Sequence, residues 1–98
     1  MSAGAYYDVI EQLKELCHAD IQTLQLQETT WLFTGNVTGL RFESVVRVDA
    51  PDRDRIIADL VDNAMEIEFK VQSHFVASIV AERRGDSLAL DLITVEAD

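Results

Sequence analysis

The chain has 98 residues, 48% of them hydrophobic, and carries eighteen Asp and Glu against eight Lys and Arg, a net charge of −10. A chain of this length forms one domain with a modest core, so we predict a single domain over residues 1–98. The acidic balance disfavours direct binding to nucleic acid or to anionic membranes. One cysteine excludes an internal disulfide, and the N-terminus lacks the basic and apolar pattern of a signal peptide, so we expect a cytoplasmic protein.

The first half changes from helical to strand periodicity. Val9, Ile10 and Leu13 recur at helical spacing and form an apolar stripe. Further on the pattern alternates, which places Leu24 and Leu26 on one side of a strand. The predicted elements are a helix over 5–19, strands over 21–27, 30–34 and 40–48, and a Gly-containing turn over 35–39.

The second half begins with a well-marked helix. Pro51 suits the first helical position because it lacks an N–H, and Asp52 and Asp54 suit the positive end of the helix dipole. The predicted elements are a helix from 51 to about 65, strands over 66–72, 75–82 and 87–95, and a hairpin turn over 83–86.

This order, α-β-β-β-α-β-β-β, predicts an α+β two-layer sandwich, with a mainly antiparallel sheet and both helices on one face. The face under the helices is predicted to carry Leu40, Phe42, Ile67, Phe69, Phe75, Ile79, Leu88, Leu90 and Leu92. Residues 9–50 also align with 56–97, and within that alignment 45–50 match 92–97. An internal αβββ duplication is therefore one hypothesis for the architecture.

No motif in the chain indicates catalysis, a metal or a cofactor. Cys17 and His18 are the only adjacent pair of good metal ligands, but zinc requires three or four ligands at defined spacing. Cys17 falls on the apolar stripe of the first helix and is interpreted as a core residue. His74 is interpreted as a turn residue, and the scattered glycines form no phosphate-binding loop. We therefore predict no catalytic residues, no metal site and no cofactor.

Two stripes of carboxylates are the main candidate site. Helical spacing of three and four residues places each stripe on the outer side of one helix. The predicted partner-binding residues are Asp8, Glu11 and Glu15 on the first helix and Asp59, Asp62 and Glu66 on the second. Such stripes are interpreted either as solvated faces or as a surface that binds a basic partner. Proteins that imitate nucleic acid, including some phage-encoded inhibitors of host defence, present negative charge in a similar way.

The sheet offers a second candidate surface. The face opposite the helices is predicted to carry Val76, Val80, Ile93 and Val95. A contiguous apolar patch on one sheet face usually marks an interface, so these four residues are predicted to mediate self-association as a homodimer.

The leading hypothesis is a non-enzymatic acidic interaction protein, an inhibitor or adaptor that binds a protein with a basic surface. The element order and acidity also resemble those of type III secretion chaperones, which are small, acidic and built from α-βββ-α-ββ units. That resemblance implies a homodimeric chaperone as the alternative, although this chain lacks the final helix. An enzyme that uses scattered carboxylates is a lesser alternative.

Overall fold

The computed structural model describes residues 3–32 and 38–96. Four strands form one antiparallel sheet in the order β1-β2-β4-β3, and both helices pack on one face of it. The predicted α+β two-layer sandwich is therefore confirmed, with the element order α-β-β-α-β-β. The elements are α1 (Gly4–Cys17), β1 (Asp20–Leu32), β2 (Thr38–Asp49), α2 (Arg53–Asn63), a 3-10 turn (Ala64–Glu66), β3 (His74–Arg84) and β4 (Ser87–Glu96).

The first helix forms where its apolar stripe was predicted. Tyr6, Val9, Ile10 and Leu13 are buried on the side that faces the sheet. The helix ends at His18, which has a left-handed backbone (φ 51°) and donates its N–H to the carbonyl of residue 14. The chain therefore turns sharply and enters β1.

The second helix begins later than predicted. Asp52 occupies the N-cap position, so Pro51 precedes the helix instead of opening it. Ile56, Ile57 and Leu60 are buried against the sheet, as the apolar stripe indicated.

The predicted strand over 66–72 is wrong, although its alternating pattern has a physical basis. Ile67, Phe69 and Val71 pack against the core, yet this segment forms no ladder with the sheet beyond a single bridge from Val71 to the start of β3. The Gln12 side chain holds its backbone instead: Nε2 donates to the Lys70 carbonyl (2.8 Å) and Oε1 accepts from the Lys70 N–H (2.9 Å). The alternating pattern of residues 66–72 therefore reflects side chains that pack on the core, without strand pairing.

The two short strands predicted in the first half are one long strand, β1. A β-bulge at Leu24 shifts the register, so Leu24 is 48% exposed while Leu26 packs against the core. The prediction that Leu24 and Leu26 share a side is therefore wrong. The end of the predicted second strand and most of the predicted turn, residues 33–37, lie outside the described residues.

The two central strands alternate as predicted. Phe42 and Val46 on β2 are fully buried and pair with Leu92 and Leu88 on β4. In β3 a second bulge, between Val76 and Ser78, exchanges the faces that were predicted for Phe75 and Val76. Phe75 is 67% exposed, whereas Val76 packs against the core. Phe75 therefore belongs to the face opposite the helices.

The structure does not confirm the internal duplication. Both halves contain the order α-β-β, but the alignment places the buried Val46 over Ile93, which lies on the opposite face of the sheet from its buried neighbour Leu92. A shift of one residue along a strand exchanges the two faces, so the aligned strands are not equivalent. The alignment also places 24–27, inside β1, over 69–72, which are outside any strand.

Candidate functional site

The outer sheet face, which is the face opposite the helices where all four strands pair, carries balanced charge. Its three arginines offset its three carboxylates, so its net charge is zero (3 − 3), within a chain whose net charge is −10. These charged residues are Arg41, Arg47, Arg84, Glu43, Glu82 and Asp91. Asp20 and Asp49, which pair on the same face beyond this region, add two negative charges. The whole face therefore carries −2 (3 − 5), and most of the acidity of the protein lies elsewhere.

An ion pair occupies the middle of the outer sheet face. Arg41 donates from Nε to Asp91 Oδ1 (3.0 Å) and from Nη2 to Oδ2 (2.7 Å), and Glu43 lies 3.9 Å from Nε. The hydrogen bonds to Asp91 raise the pKa of Arg41 further above its usual value. Because this two-point geometry satisfies both groups, the pair tolerates partial removal from water better than a lone charge would.

Three of the four predicted self-association residues lie on this outer sheet face. Val80 is 50% exposed, and Ile93 and Val95 are half-buried, each on the side away from the helices. Val76 does not lie there, because the bulge turns it toward the core, and Phe75 takes its place. No local signal shows this, because regular alternation puts Phe75 and Val76 on opposite faces in either assignment and does not mark the bulge.

The six predicted partner-binding carboxylates are all exposed on the helical layer. Glu11 pairs with Lys14 (3.1 Å), and Asp59 pairs with Arg55 (3.4 Å). The other four have no ion-pair partner among residues 3–32 and 38–96, namely Asp8, Glu15, Asp62 and Glu66. Glu66 lies in the 3-10 turn after α2, so the second stripe leaves the regular helical spacing at that point.

The carboxylates at the start of α2 are balanced by arginines, which sequence reasoning did not pair. Asp54 accepts a hydrogen bond from Arg83 of β3 (2.7 Å), and Asp52 accepts one from Arg55. These hydrogen bonds lower the pKa of both carboxyl groups. The unbalanced negative charge of α2 is therefore toward its C-terminal end, at Asp62 and beyond.

The Cys17 thiol lies at the end of α1, near α2. Burial raises the pKa of this thiol, and the negative charge of Asp59 on α2 raises it further. A raised pKa also keeps the thiol protonated and weakly nucleophilic.

The histidines and the metal-ligand residues form no assembled centre. His18 is exposed after α1, and His74 Nδ1 lies 3.2 Å from the Gln72 carbonyl. Within the part of the chain that the structure describes, no group of three His, Cys, Asp or Glu side chains is placed to hold a metal ion.

The described surface includes open concavities on the outer sheet face and along β3. One, of about 540 Å³, lies on the outer sheet face and includes Glu43, Glu82 and Asp91 in its lining. Glu43 and Asp91 face Arg41, so they balance its charge. The other, of about 410 Å³, runs along the free edge of β3.

Comparison with known proteins gives no relative for this chain: no protein-family model matches it, and neither the curated proteins nor the solved structures contain a significant match. None of the described helices has the length and apolar character needed to cross a bilayer. Functional inference must therefore start from the surfaces themselves.

Proposed function

We propose that this chain is a non-enzymatic interaction protein, an inhibitor or adaptor, whose acidic helical layer binds the basic surface of another cytoplasmic protein. One observation carries the proposal: α1, α2 and the 3-10 turn after α2 present six exposed carboxylates, and four of them have no ion-pair partner among the described residues. On the outer sheet face, by contrast, three arginines offset three of the five carboxylates.

The mechanism is electrostatic attraction followed by docking. Exposed carboxylates at helical spacing attract Lys and Arg of a partner over about 8–10 Å at physiological salt. This attraction acts mainly on the association rate. A groove that normally binds phosphates is a suitable partner surface, because both stripes present regularly spaced negative charge.

The test reverses charge on the helical layer and compares it with a matched reversal elsewhere. The Asp59→Lys/Asp62→Lys variant is expected to slow association with the captured native partner by roughly tenfold at low salt, with less effect at high salt. Asp49→Lys/Glu96→Lys is the control, because it makes the same change in net charge at exposed positions at strand ends. Equal slowing by both variants would show that only overall charge matters, and this would refute a helical binding surface.

The outer sheet face supports a second candidate function, that of a small homodimeric chaperone. Its exposed Phe75 and Val80 form an apolar surface in the part of this face where positive and negative charges balance, so another copy of this acidic chain can approach it with little repulsion. A bound client that remains on the protein at high salt favours this candidate, since apolar contacts are not screened.

A further inference from the structure

The most exposed apolar side chains of the described protein lie together in one groove. This β3 groove, of about 410 Å³, is lined on one side by residues 65–69 and on the other by residues 74–79. Met65 is 70% exposed and Phe75 is 67% exposed, more than any other large hydrophobic side chain in the described residues. Exposed apolar side chains grouped along a groove indicate a binding site for apolar groups.

The floor of the β3 groove is a free sheet edge. β3 is the last strand of the sheet, and only β4 pairs with it. Beyond the hydrogen bond from the His74 N–H to the Val71 carbonyl (3.4 Å), the described residues form no backbone hydrogen bond to the outward edge of β3. The outward N–H and C=O groups are therefore available to an added strand.

The opposite wall of the groove is held in place. Ile67 and Phe69 pack against the core, and Gln12 of α1 makes two hydrogen bonds to the backbone of Lys70. The bulge at Ala77 also interrupts the regular edge of β3. A groove with fixed walls binds an extended segment at a lower entropic cost than a mobile surface would.

Charge determines which segment fits. Glu66 and Glu68 are exposed in the lining and have no ion-pair partner among the described residues, and no Lys or Arg lines the groove. The acidic lining disfavours a second copy of a chain with net charge −10. It favours a segment that presents Lys or Arg beside its apolar residues.

We infer that the β3 groove binds an extended, basic segment of a partner protein, which adds to the sheet as a strand next to β3. Alternate apolar side chains of that segment contact Met65 and Phe75, and its Lys or Arg side chains face Glu66 and Glu68. The inference rests on the proposed function, because it assigns the anchoring contact of the same class of basic partner.

A labelled nonapeptide tests this inference directly. It has two lysines at each end and alternating valine and threonine between them, and fluorescence anisotropy measures its binding to the full chain. Met65→Ala and Phe75→Ala are each expected to weaken binding by about tenfold. Leu16→Ala is the matched control, since Leu16 is 57% exposed but lies on α1, and this variant is expected to bind the peptide normally.

Two further measurements identify the mode of binding. Methylating alternate backbone nitrogens of the peptide removes strand pairing and is expected to reduce affinity at least as much as the protein variants do. Hydrogen exchange of the β3 amides over residues 75–79 is expected to slow when the peptide binds. Protection confined to α1, α2 or the β1 edge would overturn the inference, as would equal binding of a peptide with glutamates at its ends.

The outcomes also separate this inference from the proposed function. If the Asp59/Asp62 reversal slows partner association but the lysine-flanked peptide does not bind the groove, the groove assignment is wrong and the acidic helical surface remains supported. If the peptide binds as expected but the helical reversal has no effect, the helical surface is wrong. Conversion of a wild-type dimer to monomer by Met65→Ala would show that a second copy occupies the groove, against the inference.

Discussion

Thr94 provides a sensitive test of the core, because its hydroxyl is buried without a partner. Thr94 lies near the end of the interior strand β4, paired with Leu40 on β2 and Val76 on β3, and is 0% exposed. Its Oγ1 has no hydrogen-bond partner among the described residues. Leaving a buried hydroxyl unsatisfied costs about 1–3 kcal/mol, so Thr94→Val, which replaces the hydroxyl by a methyl group of similar size, is expected to stabilise the fold by about 1–2 kcal/mol.

Thr23→Val is the matched control, because the Thr23 hydroxyl does have a partner. Its Oγ1 lies 2.9 Å from the hydroxyl of Tyr6, which is 1% exposed. Removing this hydrogen bond takes one partner from the buried Tyr6 hydroxyl and is expected to cost about 1 kcal/mol. Urea denaturation measures both changes, and a gain of 1 kcal/mol corresponds to a rise in Tm of about 4–8 °C for a domain of this size. Destabilisation by both variants would refute the assignment of Thr94 as an unsatisfied group.

Three further outcomes follow from the helical layer. Leu60→Ala is expected to lower the free energy of unfolding by about 2–5 kcal/mol and Asp62→Ala by well under 1 kcal/mol, because only Leu60 is buried. Denaturant melts measure both changes, and equal losses would contradict this packing. The pKa of Asp54 is lowered by Arg83, so the pair stabilises the fold above the unfolded pKa of about 3.9. That contribution is lost as pH falls through the lower folded value, so Arg83→Gln should destabilise the protein at neutral pH but lose its effect in strong acid. The raised pKa of Cys17 predicts that iodoacetamide alkylates it more slowly near neutral pH than a free cysteine, and an equal rate would argue against its burial.

The elements that depend on short-range pattern were predictable from sequence. The stripe that contains Val9 and Leu13 specified α1, and the alternation around Phe42 and Val46 specified the faces of β2. In each case the periodicity of the side chains matches the geometry of one element, so no knowledge of distant contacts is needed. The two-layer arrangement followed, because two amphipathic helices need one sheet face to cover.

The errors arose where distant contacts determine local structure. The bulges at Leu24 and Ala77 each insert one residue, and the alternation of side chains does not mark where such an insertion falls. Segment 67–71 alternates like a strand, but its side chains pack on the core while Gln12, far away in sequence, binds its backbone. Hydrogen bonds over such separations have no local sequence signal.

The same limit applies to the candidate site. Exposure of Asp59 and Asp62 was predictable from helical spacing, and so was the pair of Asp52 with Arg55, three residues later. The arginine that balances Asp54 is Arg83 of β3, and this pair depends on how α2 packs against the sheet. The unbalanced charge of this helix therefore lies toward its C-terminal end. It also exposes Phe75, which sequence reasoning had assigned to the core.

Self-association through the outer sheet face has a specific test, because the bulge in β3 separates Val80 from Val76. Val80→Asp places a charge on the outer face, where Val80 is 50% exposed, and is expected to convert a dimer to monomer in sedimentation velocity without unfolding it. Val76→Asp is instead expected to destabilise the fold. The sequence predicts Val76 in the same patch as Val80, but in the structure Val76 packs against the core. A dimer joined by the outer sheet faces keeps the acidic helical layers apart, which reduces repulsion between two chains of net charge −10. A wild-type protein that is monomeric at high micromolar concentration would exclude this dimer, and the exposed Phe75 would then have to be explained by the β3 groove alone.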